Sequence, residues 1–157
     1  MATGTLIYGS AATVAFTSLA ALTNGSGAQS TAVDNTGTLA VDYLIRVQAL
    51  MSANTPTGTL DFFVAGLVNS TPTYVDGASG SDAAFTAANR VNAPLLWNMT
   101  MRNNATTYFE AYLSSIPQFR RPPTKFSLVA INNTGFTLGT GSTNFVVDVV
   151  PLTLSVA

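Results

Sequence analysis

From Leu39 to Met51 the chain alternates. Leu39, Val41, Tyr43, Ile45, Val47, Ala49 and Met51 are apolar, with Asp42, Arg46, Gln48 and Ser52 among the positions between and after them. A period of two turns one set towards a core and the other towards solvent, the mark of a half-buried strand. NTPTG (54–58) then leads into TLDFFVAGLV (59–68), which is apolar on both faces, with Leu60, Phe62 and Val64 on one and Phe63, Ala65 and Leu67 on the other. The short connection predicts an antiparallel hairpin over 39–68. Its second strand is expected either to be buried twice over or to meet another subunit, which makes Phe63 and Leu67 subunit-contact candidates.

The same reading gives short strands in TLIYGS (5–10), TVAFTSLAAL (13–22), PLLWNMTM (94–101), ATTYFEAYLSSI (105–116), KFSLVAIN (125–132) and NFVVDVVPLTL (144–154). Alternation points Leu95, Trp97, Met99 and Met101 inward, and in the aromatic strand it marks Tyr108 and Tyr112 as further subunit-contact candidates. NGSGAQS (24–30) and NNTG (132–135) are turns, since Asn and Gly tolerate positive φ. Residues 69–94, with Pro72, DGASGSD (76–82) and Pro94, predict a long loop carrying one short strand near Tyr74. QFRRPPT (118–124) predicts a stiff connector, because proline fixes φ and extends its predecessor. With about eight strands, no helix and no repeat, the expectation is an all-β chain. Its expected form is a single jelly-roll sandwich of antiparallel strands over 29–157, preceded by a strand or arm over 1–28.

Composition sharpens the functional side. Charged residues are 8% of the 157, against about 25% in an average chain, and the net charge is −1. Such a balance offers no basic stripe for nucleic acid. A surface so poor in charge is better suited to an assembly than to a free monomer. The absence of His and Cys removes Ser-His-Asp and Cys-His catalysis and the usual zinc ligands. P-loop and GxGxxG motifs are missing, so no cofactor is expected. No run approaches the ~20 apolar residues of a membrane span, and AATVAFTSLAAL (11–22) lacks the preceding positive charge of a signal peptide.

What chemistry remains is sparse. Asp42 and Asp61, if placed across one hairpin, would form a carboxylate pair of the glycosidase kind; the plainer expectation is that each is a solvated strand residue or pairs with an arginine such as Arg46. DGASGSD lacks the ligand order of a calcium loop. Trp97, Tyr108, Phe109 and Tyr112 are as well explained by core or subunit contact as by a sugar platform. The five Asn-x-Ser/Thr matches, at Asn24, Asn69, Asn98, Asn104 and Asn132, arise readily in a chain this rich in those residues. Arg120 and Arg121, held beside Pro122 and Pro123, are the charged group best placed to dock on an acidic partner, the alternative being a solvated loop.

Three stretches taken in order, LAVDYLIRVQALMSANTPTGTLDFFVAGLV, RVNAPLLWNM and FRRPPTKFSLVAINNTGFTL, resemble a family of small virion proteins of tailed bacteriophages. In that family a D-Y-L-[IV]-x-V strand precedes a P-T-G turn, and a Pro-Pro connector leads into an apolar strand ending N-N-T-G. The likeness spans residues 29–138 and rests on order and spacing rather than on any one motif. It implies a jelly-roll head-decoration (cement) protein on the outer surface of the capsid. Such proteins are dimers or trimers that bind between major capsid subunits, without membrane or nucleic-acid partners. Arg120, Arg121, Pro122 and Pro123 would then be capsid-contact candidates, although Phe119-Arg120-Arg121 departs from the family connector. A tail-fibre or carbohydrate-binding jelly roll is the main alternative. A small-virus capsid subunit would need a basic arm, and residues 1–37 contain no Lys or Arg.

Overall fold

The computed structural model describes residues 4–49, 57–68, 73–100, 109–114, 123–141 and 145–156, without the side chains of 109–114 and 156. Its strands are β1 (Gly4–Tyr8), β2 (Ala12–Thr13), β3 (Gly27–Gln29), β4 (Val33–Asp34), β5 (Asp42–Ala49), β6 (Thr59–Gly66), β7 (Ala83–Phe85), β8 (Leu95–Thr100), β9 (Phe109–Ser114), β10 (Lys125–Asn133) and β11 (Phe145–Val156). The described helices are three short 3₁₀ turns. One sheet has the order β1-β11-β5-β9, with β2 also on β11. The other has the order β7-β3-β10-β6-β8, with β4 also on β10.

β1 with β2, and β3 with β4, are each one interrupted strand. Counted so, and leaving aside the short β7, the sheets read first-eighth-third-sixth and second-seventh-fourth-fifth. That is the jelly-roll connection, all pairings antiparallel. Residues 4–28 supply β1, β2 and the start of β3, so position 28/29 falls inside a strand and the chain enters the sandwich from Gly4 onwards.

Tyr43, Ile45, Val47 and Ala49 of β5 face the core, as the alternation requires, and the residues between them from Leu44 to Gln48 are half-buried. The pattern overreaches at its start. Leu39 and Val41 are exposed, Leu39 has φ 50°, and the strand begins at Asp42. The expected hairpin is corrected too: β5 pairs with β11 and β9, while β6 pairs with β10 and β8. The chain changes sheets between them, which periodicity cannot report because it registers a buried face and not a pairing partner. Asp42 and Asp61 therefore stand in opposite sheets.

Between the sheets, β6 contributes Leu60, Phe62 and Val64, β10 contributes Phe126, Leu128 and Ala130, and β11 contributes Val147 and Val149. Tyr43 meets Phe126 edge-on at 5.3 Å, and Phe16 meets Phe62 at 6.5 Å, the geometry that ring quadrupoles favour. In β8 Met99 is fully buried, but Leu95 is exposed and Leu96 joins the core instead. A bulge explains the reversal, for Phe62 opposes Trp97 while Phe63 opposes Leu95. One extra residue inverts the alternation beyond it.

β6 and β10 are buried on their second face as well. Phe63, Ala65, Val129 and Ile131 point away from the sandwich core and are covered by Tyr74, Ala78, Phe85 and Ala93. The loop read over 69–94 is thus, in its described part, a lid of 3₁₀ turns and β7 over the outer face. The NNTG turn is held as firmly. Asn132 is fully buried, donates to the carbonyls of Leu22 (2.8 Å) and Phe136 (2.7 Å), and accepts from the Thr134 amide and hydroxyl. Gly135 follows at φ 86°.

Ile45 has no exposure, so Ile45→Asp would set a carboxylate in the core without a partner, at a cost of several kcal/mol. Gln48→Asp on the half-buried outer face should cost far less, about 1 kcal/mol. Chemical denaturation of both variants checks the register, and a folded Ile45→Asp protein beside an unfolded Gln48→Asp one would refute it.

Candidate interaction surface

Six carboxylates have described side chains, and each is engaged within the chain. Asp148 pairs with Arg46 at 3.0 Å and accepts from the Thr13 hydroxyl at 2.7 Å, while Arg46 also reaches Gln48. Asp61 accepts from Asn98 and Asn133, both at 2.7 Å. Asp42 accepts from the amide of Tyr43. Asp34 pairs with Lys125 at 2.7 Å and caps Thr36. Those bonds, the one from Lys125 foremost, hold its carboxyl well below the usual range.

Asp76 and Asp82 are the ends of the DGASGSD stretch, and both act as staples for main chain. Asp76 accepts from the amides of Val91 (2.9 Å), Asn92 (2.8 Å) and Ala93 (2.7 Å). Asp82 accepts from the amides of Thr17 (2.7 Å) and Ser18 (3.0 Å) and from the Thr17 hydroxyl. Burial alone would raise both carboxyls, but in each case the hydrogen bonds outweigh it and the net shift is downward. Asp76 accepts its bonds at φ 58°, a conformation few non-glycine residues adopt. The two staples pin the lid over Phe63, and the Arg90 guanidinium lies 4.5 Å from the centre of that ring.

With the outer face of that sheet sealed, exposed apolar surface collects elsewhere. Pairing with β5 ends at Leu152–Asp42, whereas β11 continues to Val156 beside β1. The result is a two-stranded ribbon extending past β5. Leu6, Ile7, Tyr8 and Leu154 on it are 45–65% exposed, and Val41, whose amide donates to Leu152, is exposed beside it. Two strands alone are marginal in water, and all five residues of β1 are exposed. At the root of the ribbon the Gly9 amide donates to the Pro151 carbonyl at 2.8 Å. A side chain at Gly9 would strike the Pro151 ring, 2.8 Å away, and Pro151 has no N–H to return. The ladder breaks there, between β1 and β2.

Below that break a cleft of about 270 Å³ opens between the sheets, lined by Ser10, Thr13, Thr31, Thr38, Tyr43 and Pro151 among others. The Tyr43 hydroxyl is already committed to Asn35 at 2.8 Å. Asp34 is the one acid in the lining, and its carboxylate is bound to Lys125 and Thr36. Among the described residues no cluster of three or more acids, Cys or His could hold a metal ion, and no helix is long and apolar enough to cross a membrane.

The residues singled out from sequence are not brought together. Phe63 is buried beneath the chain's own lid, and Leu67 is half-buried against the same cluster, so the doubly apolar strand is covered from within. Tyr112 opposes Arg46 in the β5–β9 pairing; its side chain, like Tyr108, lies outside the described residues. Arg120, Arg121 and Pro122 also lie outside them. Pro123 is half-buried next to Thr124, whose carbonyl accepts from Asn35. Of the glycosylation-like asparagines, Asn132 is inaccessible and Asn98 is bound to Asp61. The ribbon was legible as two separate strands, TLIYGS and NFVVDVVPLTL, with no sign that they would pair or that the first would be left exposed.

Protein-family models, curated proteins and solved structures were compared with the chain, and none matches it.

Because the Asp76 and Asp82 carboxyls titrate below the ordinary carboxylate range when folded, their contribution is present above the unfolded value near 4 and is lost as pH falls through the folded one. Asp76→Asn should be less stable than the parent at neutral pH. It should also lose less further stability between about pH 5 and pH 2. Urea denaturation at the two ends of that range checks it; an unchanged acid limb would remove the staple.

Proposed function

We propose that this chain is a non-enzymatic structural protein of a phage virion, a decoration protein that binds between major capsid subunits on the outside of the head and stabilises it. The observation that carries the reading is where the chain leaves its apolar surface. One sheet is sealed by its own lid and the described acids are bound internally, while β1, at the edge of the other sheet, is exposed along its whole length with Leu6, Ile7 and Tyr8 on it. That distribution suits a protein that works by contact with other proteins. The ordered likeness of 29–138 to small virion proteins points in the same direction.

A decoration protein adds no chemistry. It binds the assembled shell better than the dissociated one, and that difference in affinity becomes shell stability. With net charge −1, the binding energy comes mainly from apolar and main-chain contact rather than from long-range attraction. A second reading, a carbohydrate-binding module of a tail fibre, is favoured by the hydroxyl-lined cleft at Ser10, Thr13, Thr31 and Thr38. Retention on a glycan array would select it.

Heads prepared without this protein should release DNA at a lower temperature than complete heads. Adding the purified protein should restore them with mild dependence on salt. Replacing both Arg120 and Arg121 by Ser should weaken head binding while leaving the fold intact. Equal thermal release from heads with and without the protein would end the decoration reading.

A further inference from the structure

Among the described residues one strand edge is left unguarded. Natural sheets protect their edges with charge, proline, a bulge or very short strands. β9 carries Glu110, β8 has its bulge, and β7 is three residues long. β1, with sequence GTLIY, has none of these devices. Strand geometry also fixes which of its groups face outward. Gly9 donates towards β11, and successive residues alternate sides. Thr5 and Ile7 therefore share the β11 side with Gly9, and the N–H and C=O groups of Gly4, Leu6 and Tyr8 point to the open edge.

We propose that this edge pairs antiparallel with β1 of a second copy, joining the two β1-β11-β5-β9 sheets into one sheet across a two-fold axis at Leu6. The strand is its own complement in that register. Leu6 exchanges main-chain hydrogen bonds with Leu6 of the copy, and Gly4 does so with Tyr8 of the copy, twice over by symmetry. Gly4 has no side chain, and Leu154 lies 3.2 Å from where its Cβ would stand. The tyrosine ring of the copy thus gains a flat seat with Leu154 as its wall. Thr5 faces Ile7 of the copy in the closer, non-hydrogen-bonded kind of pair. No charge occurs on either side, so an identical strand meets no repulsion. Leu6, Ile7 and Tyr8, 45–65% exposed in the single chain, gain apolar cover from the copy along the paired edge. An isologous pair also closes on itself and leaves no edge of this kind free. The inference concerns the edge alone, so a failure of the head-decoration reading would leave it standing.

Sedimentation and cysteine cross-linking test it on the full chain, which has no cysteine of its own. The wild-type protein should sediment at twice its 16.3 kDa. Leu6→Pro removes one outward N–H and no bond to β11, and should weaken dimerisation at least tenfold; Leu6→Lys, with the backbone intact, reads the same edge if the proline variant fails to fold. A mixture of Thr5→Cys and Ile7→Cys chains should form a disulfide-linked pair on oxidation, while either alone should form little. A wild-type monomer at high concentration, or undiminished dimers of Leu6→Lys, would overturn the proposal. Faster cross-linking of Thr5→Cys with itself than with Ile7→Cys would overturn the register. A monomer whose head binding is lost on Leu6→Lys would assign the edge to a capsid strand and overturn the second copy as its occupant.

Discussion

Two neighbouring strands that are apolar on both faces set the terms for the rest of the molecule. β6 and β10 lie side by side over eight paired positions, and nearly every residue in them is buried. A sandwich covers one face of such a pair by construction, since the opposite sheet supplies Ile45, Val47, Val147 and Val149. It offers nothing for the other face. The segment from Tyr74 to Ala93 answers that need, which is why a stretch so poor in regular structure is fixed in place. A loop has no ladder to hold it, so the chain uses carboxylates for the purpose, Asp76 gathering amides from 91–93 and Asp82 gathering amides from 17–18. Gln29 adds a third fastening at Ser79.

The scarcity of charge is connected with this use of acids. In an average domain most Asp and Glu are solvated and contribute little to the fold. Here Asp34, Asp42, Asp61, Asp76, Asp82 and Asp148 all hold a main-chain amide, an amide side chain, a hydroxyl or a cation. Asparagine does similar work in neutral form. Asn35 ties Ala40 to the Tyr43 hydroxyl, and Asn132 joins the turn after β10 to the loop at Leu22. No buried side-chain nitrogen or oxygen among the described residues lacks a partner. Polar side chains in this protein are chiefly fasteners, and little of the charged solvent coat that keeps monomers apart is left.

Much of this was legible before the structure, and the failures have specific causes. The period of β5 from Tyr43 to Ala49 and the double apolarity of β6 follow from side-chain alternation, as does the all-β class. The partner of β5 does not, because alternation says which face is buried and nothing about which strand lies alongside. Leu95 and Leu96 exchanged roles through a bulge that no local pattern announces. Tyr74, Ala78, Phe85 and Ala93 share no period, so the segment reads as a loop although its apolar residues converge in space. The ribbon was the least visible feature. Leu6, Ile7 and Tyr8 resemble any short strand in sequence, and nothing local to them says that the strand will lie exposed at a sheet edge. The Arg120–Arg121 pair was singled out by its place beside two prolines and by the family likeness, and both arginines lie outside the described residues.

The missing N–H at Pro151 has a mechanical consequence. Between β1 and β2 the ladder on β11 keeps one bond of two at Gly9, and no side chain can stand there without striking the proline ring. Tension along β1 is borne by the bonded pairs from Gly4 to Tyr8 and passes to the sandwich through β11, which stays paired with β5 at Pro151 and Leu152. Across the break the chain changes its grip on β11 by one residue, Tyr8 facing Leu152 while Thr13 faces Asp148, so the two halves of the interrupted strand are held to one partner by separate sets of bonds.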